Sequence, residues 1–418
     1  MTTTLTLPTG PTVFTPYYNA WNHYAYTRSK PFSESPWDVP ASSTSGCAVV
    51  ITETHFVGLT RICDATFAWD GQQLRIDAPD DALFLQSFTN VTDAWTAYHA
   101  ALDLPKPHAP FGYLPEYTTW VEQVARRQPD ELPNQHLTPA IITELLDYID
   151  EQDWPRGRFC VDEGWCHRHG PGGFGTNTPL PQFNMASIAE EIRQRGHVPG
   201  IWLAPPLICA ASDAAQKYPG AVGEKVNMDG ETPWNRFNFI QPGPDSARIL
   251  RDLFQRAYDW GFRKFKLDIF YGRRRDMALV SRQCVEAIAD FPEPVELESH
   301  IPDALIARHL HVVRINDVLI SHDFPNWRKV AQGHFDICDT SAPDHVLNLD
   351  HAGGNDPRVS AAEFAEHLQM IESWMPRGHP VMGLKPSRFP PAITACFANL
   401  LRRSRQSVHG TQSTQTGW

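Results

Sequence analysis

The chain lacks the features that would place it in several large functional classes. Basic residues are in deficit: 36 Lys and Arg stand against 48 Asp and Glu, for a net charge of −12. A nucleic-acid binder normally presents a basic face, so this balance argues against one. No apolar run approaches the ~20 residues that span a bilayer, which argues against a membrane partner. The start, Met1-Thr2-Thr3-Thr4-Leu5-Thr6-Leu7-Pro8, has neither the basic head nor the apolar stretch of a signal peptide. A cytoplasmic location is the expectation. The eight cysteines include no Cys-x-x-Cys pair, so neither a zinc knuckle nor a redox motif is visible. Cys160 and Cys166 lie close in sequence, but a cytoplasmic chain of 418 residues has no need of a disulfide.

What is present changes in texture along the chain. The first hundred residues are β-rich and poor in helical periodicity. Gly46-Cys47-Ala48-Val49-Val50-Ile51-Thr52 and Gln73-Leu74-Arg75-Ile76 form short strand-like runs between turn-forming clusters. A proline-rich segment at 102–110 marks a linker. Beyond it, apolar strand-like runs alternate with amphipathic helical stretches, the pattern of βα units on a parallel sheet. Helix starts are legible at Thr138-Pro139, at Ser187 with Glu190, at Asp245, and at Ser360 with Glu363. Gly196 and Gly261 are suited to close two of these helices.

Eight strands are predicted, at 117–121, 158–162, 200–204, 264–270, 295–299, 312–319, 345–349 and 381–384. Eight strands with helical connections predict an α/β fold, a (β/α)₈ TIM barrel preceded by a smaller β-rich domain. The expected division is 1–108 for the β-rich domain, 111–402 for the barrel and 403–418 for a polar tail. A doubly wound open sheet is the main alternative.

A barrel of this kind carries its active site at the carboxyl ends of the strands. Charged groups gather there: Asp162 and Glu163 after strand 2, and Lys266 and Asp268 on strand 4. Glu298 and His300 follow on strand 5, Arg314 and Asp317 on strand 6, and Asp350 at the end of strand 7. Lys266 and Asp268, two apart, face the same side of a strand. In a buried strand they need to pair or line a cavity. An ammonium nearby would keep Asp268 ionised, as a nucleophile requires. A structural ion pair explains the same two residues. Asp317 offers a second carboxylate on strand 6. Retaining glycosidases place two carboxyls about 5–5.5 Å apart across the scissile bond, and strands 4 and 6 can face each other across a barrel mouth. A helix or turn cap after strand 6 explains Asp317 as well.

Five motifs in order bear on that choice. They are Pro115-Glu116-Tyr117-Thr118-Thr119-Trp120-Val121-Glu122, Val161-Asp162-Glu163-Gly164-Trp165, Gly200-Ile201-Trp202-Leu203-Ala204-Pro205, Lys266-Leu267-Asp268 and the strand 6 aspartate. Together they resemble the α-galactosidase-like clan of retaining α-glycosidases, which extends to the α-glucosidases. The resemblance covers residues 111 to about 400. It implies an O-glycosyl hydrolase with Asp268 as nucleophile and Asp317 as general acid/base. Asp162 and Glu163 would bind sugar hydroxyls, Lys266 would reach the same ring, and Trp165 and Trp202 would wall its apolar face. Arg314 would position the acid/base or bind substrate. Glu298, His300 and Asp350 complete the expected lining. The implied partner is a small-molecule carbohydrate, with no cofactor and no metal. Homo-oligomer formation is left open.

This chain also departs from the clan. Asp162-Glu163 replaces two aspartates, and Glu298-Ser299-His300-Ile301-Pro302-Asp303 replaces a Cys-x-x-Gly-Gly-Gly-Arg type of segment. The sugar and linkage therefore stay open.

Other signals are set aside. Gly170-Pro171-Gly172-Gly173-Phe174-Gly175 matches a dinucleotide fingerprint literally, but the proline-containing stretch after it does not open a helix. A loop over the substrate is the preferred reading. His167 and His169 lack the remaining ligands of a metal set. A metal-dependent lyase or isomerase needs an acid on strand 3, where Ala204-Pro205-Pro206 stands. A non-catalytic sugar binder and a transglycosylase remain as alternatives.

Overall fold

The computed structural model describes residues 2–6, 12–15, 28–31, 49–103, 106–128, 130–227, 233–300, 303–315, 327–350, 360–383 and 391–411. Its centre is a closed parallel barrel of eight strands. These are β1 (Glu116–Thr118), β2 (Arg158–Val161), β3 (Val198–Leu203), β4 (Lys264–Leu267), β5 (Glu296–Ser299), β6 (Val312–Arg314), β7 (Val346–Leu349) and β8 (Gly378–Gly383). They follow one another around the barrel in chain order, and β8 closes on β1 with Val381 opposite Glu116. The eight strands lie where the sequence predicts them, within a few residues at the described ends, with 316–319 and 384 outside the described residues, and the open-sheet alternative falls.

Helices follow the strands: α1 (Pro139–Glu151), α2 (Met185–Gln194), α3 (Pro244–Asp259), α4 (Arg274–Ile288), α5 (Ala304–Ala307), α6 (Trp327–Ser341), α7 (Ala361–Trp374) and α8 (Pro391–Thr411). The Thr138 side chain caps α1 by accepting from Ile141 N, and Ile141, Ile142, Leu145, Leu146 and Ile149 form its buried stripe. Ser360 and Glu363 make the expected reciprocal cap of α7. Two predicted starts move. Asn184, not Ser187, caps α2, because the helix begins one turn earlier at Met185. Pro244 opens α3 after Gly243, one residue ahead of Asp245. Gly261, at φ +104°, ends the α3 segment in a conformation that suits glycine. The last helix stays helical to Thr411, past residue 403, where a polar tail was expected.

Strand alternation explains both faces of the barrel. Outward residues such as Phe265, Leu267, Leu297 and Leu347 are fully buried against the helices in one continuous core. Several inward residues are charged, where apolar branched side chains are usual. At the base, Arg158 pairs in a fork with Glu296, at 2.6 and 2.8 Å, and donates to the carbonyls of Gly112 and Leu114. One layer up, Lys264 pairs with Glu116 and, at 3.2 Å, with Glu298. Asn348 donates to Glu298 at 2.6 Å and to Glu116 at 3.2 Å. Buried charges are tolerated when each finds such partners.

Two antiparallel sheets precede the barrel, one of five strands and one of three. Their core of Phe56, Phe67, Leu74, Ile76 and Tyr98 takes in Ala304 and Leu305 of α5 and Ile337 of α6. His99 Nε2 also reaches Thr340 O of α6 at 3.0 Å. A second addition, not foreseen from sequence, is a three-stranded sheet between β3 and α3, built from Leu207–Ile208, Val222–Lys225 and Asn238–Ile240. Among the described residues, no helix is long and apolar enough to cross a membrane.

Candidate active site

The carboxyl end of β4 delivers Asp268 to the barrel mouth, where its side chain is 17% exposed while its neighbours are buried. Its two oxygens have different surroundings. Oδ1 accepts from the backbone N–H of Ile269 at 2.8 Å. His300 Nδ1 lies 3.1 Å from the same oxygen, and Arg314 Nη2 lies 3.7 Å from it. Oδ2 accepts from the indole Nε1–H of Trp202 at 3.0 Å.

Burial would drive this acid up. It is outweighed by His300, Arg314, Lys266 and the Trp202 N–H, which bring Asp268 down to about 2. Burial pushes the His300 imidazole down to about 3, against the pull of Asp268. At neutral pH His300 is therefore uncharged. The fixed charges of Arg314 and Lys266 then supply the Coulombic stabilisation of the Asp268 anion.

Around this centre the other charges pair in sequence. Lys266 Nζ lies 2.7 Å from Asp162 Oδ2, which also accepts from Thr118 Oγ1 at 3.1 Å. Thr119 Oγ1 accepts from Asp162 N at 2.9 Å, fixing the turn at the end of β2. Arg314 Nη1 donates to Asp350 Oδ2 at 2.8 Å, so Arg314 stands between Asp350 and Asp268. Glu163 lies next to Asp162, with Asn134 Nδ2 at 3.4 Å and Arg168 Nε at 3.5 Å from its Oε1. Burial, helped by Asp162 and Asp268, pushes Glu163 up to about 7 against the pull of Arg168 and Lys266. Gly164 turns the chain here at φ +126°, and a Cβ would clash with the Asn134 carbonyl oxygen.

The structure brings Asp162, Glu163, Trp202, Lys266, Asp268, His300, Arg314 and Asp350 together at one end of the barrel. Two predicted contacts are corrected. Trp165 has no exposed surface; it packs on Trp260 and donates its indole N–H to the Trp202 carbonyl at 2.9 Å. It supports Trp202 from behind and offers no wall to a sugar. Glu298 points into the barrel interior one layer below the mouth, also without exposed surface, where Lys264 and Asn348 hold it. Its position two residues before His300 puts it on the right face but too deep. Asp317 and residues 351–355 lie outside the described residues.

Sequence reasoning missed the ion-pair layers of Arg158, Glu296, Lys264 and Glu116. Alternation was the available signal: Lys264, Lys266 and Asp268 share one face of β4, and Glu296, Glu298 and His300 share one face of β5 and the residue after it. It also missed the cage of Phe174, Trp234 and Phe237, whose ring centres lie 5.9, 4.7 and 5.6 Å from the Arg168 guanidinium. That cage joins the β2–α2 loop to the inserted sheet and depends on long-range packing.

Four other features bear on cofactors or cross-links. Glu116, Glu298 and His379 bring ligand-type atoms within 4.8 Å of one another. The Lys264 ammonium, paired with both carboxylates, already occupies the place of a cation. His169 stacks on Phe237 at 4.7 Å, a packing role. The glycine-rich stretch 170–175 is a loop with Phe174 buried, and the next helix starts only at Met185, so it lacks the strand–turn–helix setting of a dinucleotide site. Cys160 and Cys166 are buried free thiols.

No protein-family model and no curated protein sequence matches the chain. Solved structures do. An α-galactosidase from Thermus thermophilus in complex with stachyose aligns with a TM-score of 0.68 at 16% identity, over 96% of this chain and 92% of that one. A xylosidase from Aspergillus niger gives a TM-score of 0.62 at 11% identity, over 97% and 64%. A Flavobacterium johnsoniae GH31 dextranase with glucose gives 0.59 at 12% identity, over 96% and 54%. The chain shares the fold of these glycosidases, including the region before the barrel.

Proposed function

We propose that the chain is a glycoside hydrolase that cleaves α-glycosidic bonds by a retaining double displacement, with Asp268 as nucleophile and Asp317 as general acid/base. The observation that carries this is the Asp268 carboxylate at the barrel mouth, with Oδ1 taken by the Ile269 N–H and faced by His300 and Arg314. Oδ2 accepts the Trp202 indole N–H, and it is the oxygen left to attack. The fold shared with α-galactosidases and a dextranase supports the same reading.

In the first step Asp268 Oδ2 bonds to the anomeric carbon as the bond to the leaving oxygen breaks, and Asp317 gives that oxygen its proton. In the second, water attacks the anomeric carbon, Asp317 takes back a proton, and the Asp268 carboxylate leaves with its electron pair. The sugar keeps its α configuration and one water is consumed. Asp162, Glu163 and Lys266 line the side of the mouth where sugar hydroxyls would be held. No cofactor is required, since charge is managed by carboxylates and fixed dipoles.

The test is hydrolysis of a panel of nitrophenyl α- and β-glycosides, with proton NMR of the first-formed sugar. Release of the α-anomer from an α-glycoside supports the reading and names the sugar. First release of the β-anomer from an α-glycoside contradicts retention.

A further inference from the structure

The residue after Asp268 holds an unusual backbone conformation. Ile269 has φ +66°, in the left-handed region where a β-branched side chain is an outlier. The other described non-glycine residues with positive φ are Asp103, Asp153 and Asn177. Their short polar side chains tolerate that region through local hydrogen bonds, and isoleucine has no such relief. The Ile269 side chain is 3% exposed and belongs to the main core, so packing over-determines the backbone there. Strain of this kind persists only where the surroundings enforce it.

The turn has a direct consequence for Asp268. Ile269 N donates to Oδ1, and Tyr271 N donates to the Ile269 carbonyl at 2.9 Å. The Tyr271 ring meets His300 at 5.4 Å, so the same short turn supports the second group facing Oδ1. With Asp268 Cα and the Ile269 side chain both anchored, relaxing φ of Ile269 to the ordinary negative range turns the 268–269 peptide plane about the Cα–Cα axis, with ψ of Asp268 changing in compensation. That rotation takes its N–H off Oδ1.

We propose that Ile269 is a positioning residue: its core-anchored, left-handed backbone locks the Asp268 carboxylate with Oδ1 occupied and Oδ2 presented to the anomeric carbon. The inference rests on Asp268 being the nucleophile.

The experiment compares wild type with Ile269→Val, Ile269→Gly and a chain in which the matching 2-hydroxy acid replaces Ile269, turning the 268–269 amide into an ester. The ester deletes the N–H and keeps the side chain, so it decides the matter if the glycine variant does not fold. Two readouts are used: kcat/KM on the nitrophenyl glycoside that wild type cleaves, and a ¹³C NMR titration of the Asp268 carboxyl, which needs no turnover. Valine is expected to stay near wild type in both. Glycine and the ester are expected to lose about tenfold in kcat/KM, as a carboxylate free to turn spends less time in the attacking orientation. Both are also expected to titrate at higher pH than wild type. Wild-type kcat/KM and an unmoved carboxyl titration in the ester variant overturn the proposal. Asp268→Asn, run in parallel, separates the two claims: if it stays active the nucleophile reading falls, and if it is dead beside an unaffected ester only the positioning role falls.

Discussion

Trp202 and Asp268, on adjacent strands of the barrel, are joined by an indole N–H···Oδ2 hydrogen bond of 3.0 Å. It falls on the oxygen assigned to attack, so its effect differs between the two chemical steps. The donor stabilises a carboxylate that is consumed in the first step and released in the second. Trp202→Phe is expected to slow release of the sugar from Asp268. On substrates with good leaving groups, kcat falls about tenfold, within the range for one hydrogen bond to a charge. KM falls with it as the covalent intermediate accumulates, leaving kcat/KM nearly unchanged. Steady-state kinetics with a nitrophenyl substrate check this; a raised KM with unchanged kcat would show that Trp202 only binds sugar.

Asp317→Ala is expected to spare nitrophenyl glycosides and to depress natural sugar leaving groups by roughly two orders of magnitude or more, because only poor leaving groups need the proton. Equal losses on both substrate types would remove Asp317 from the acid/base role.

Burial raises Glu163 to about 7, and the linkage sign follows from that direction. An acid whose folded pKa exceeds its unfolded value binds more protons when folded, so its contribution is full below the unfolded value and is lost as pH rises through about 7. Asp268, held at about 2, acts oppositely: its contribution is present above the unfolded carboxylate range and is lost as pH falls toward 2. Thermal unfolding from pH 4 to 8 is expected to show a decline toward neutrality that Glu163→Gln flattens. An unchanged profile in that variant would mean Glu163 is already ionised at pH 5.

The fully buried Arg158–Glu296 fork closes the base of the barrel. Arg158→Leu alone strands a carboxylate and is expected to cost about 3–5 kcal/mol, whereas the double change with Glu296→Leu returns part of it. Denaturant unfolding of the four species measures the coupling. Additive losses would show that the pair is not coupled.

The barrel was legible because each β–α unit carries its own local signals. Thr138-Pro139 and Ser360 with Glu363 mark helix starts through neighbouring residues, and apolar runs such as Phe159 to Val161 mark buried parallel strands. The site was legible where a strand end carried several charges at once, as Lys266-Leu267-Asp268 does. What stayed hidden depends on depth and distance. Sequence places Glu298 and His300 on one face, but only the barrel's layers show that Glu298 lies beneath the mouth. Trp165 and Trp202 look alike in sequence, and packing against Trp260 turns one away from the site. The left-handed turn at Ile269 contradicts the local preference of its own residue type, so no propensity argument finds it.

The most direct test of the account is to trap the intermediate on the protein. The enzyme is incubated with the 5-fluoro-α-glycosyl fluoride of the sugar it cleaves, digested, and mapped by mass spectrometry. One fluoroglycosyl unit is expected on the peptide containing Asp268, fragmenting to that residue, and none in Asp268→Asn. Stoichiometric labelling of a different carboxylate would contradict it.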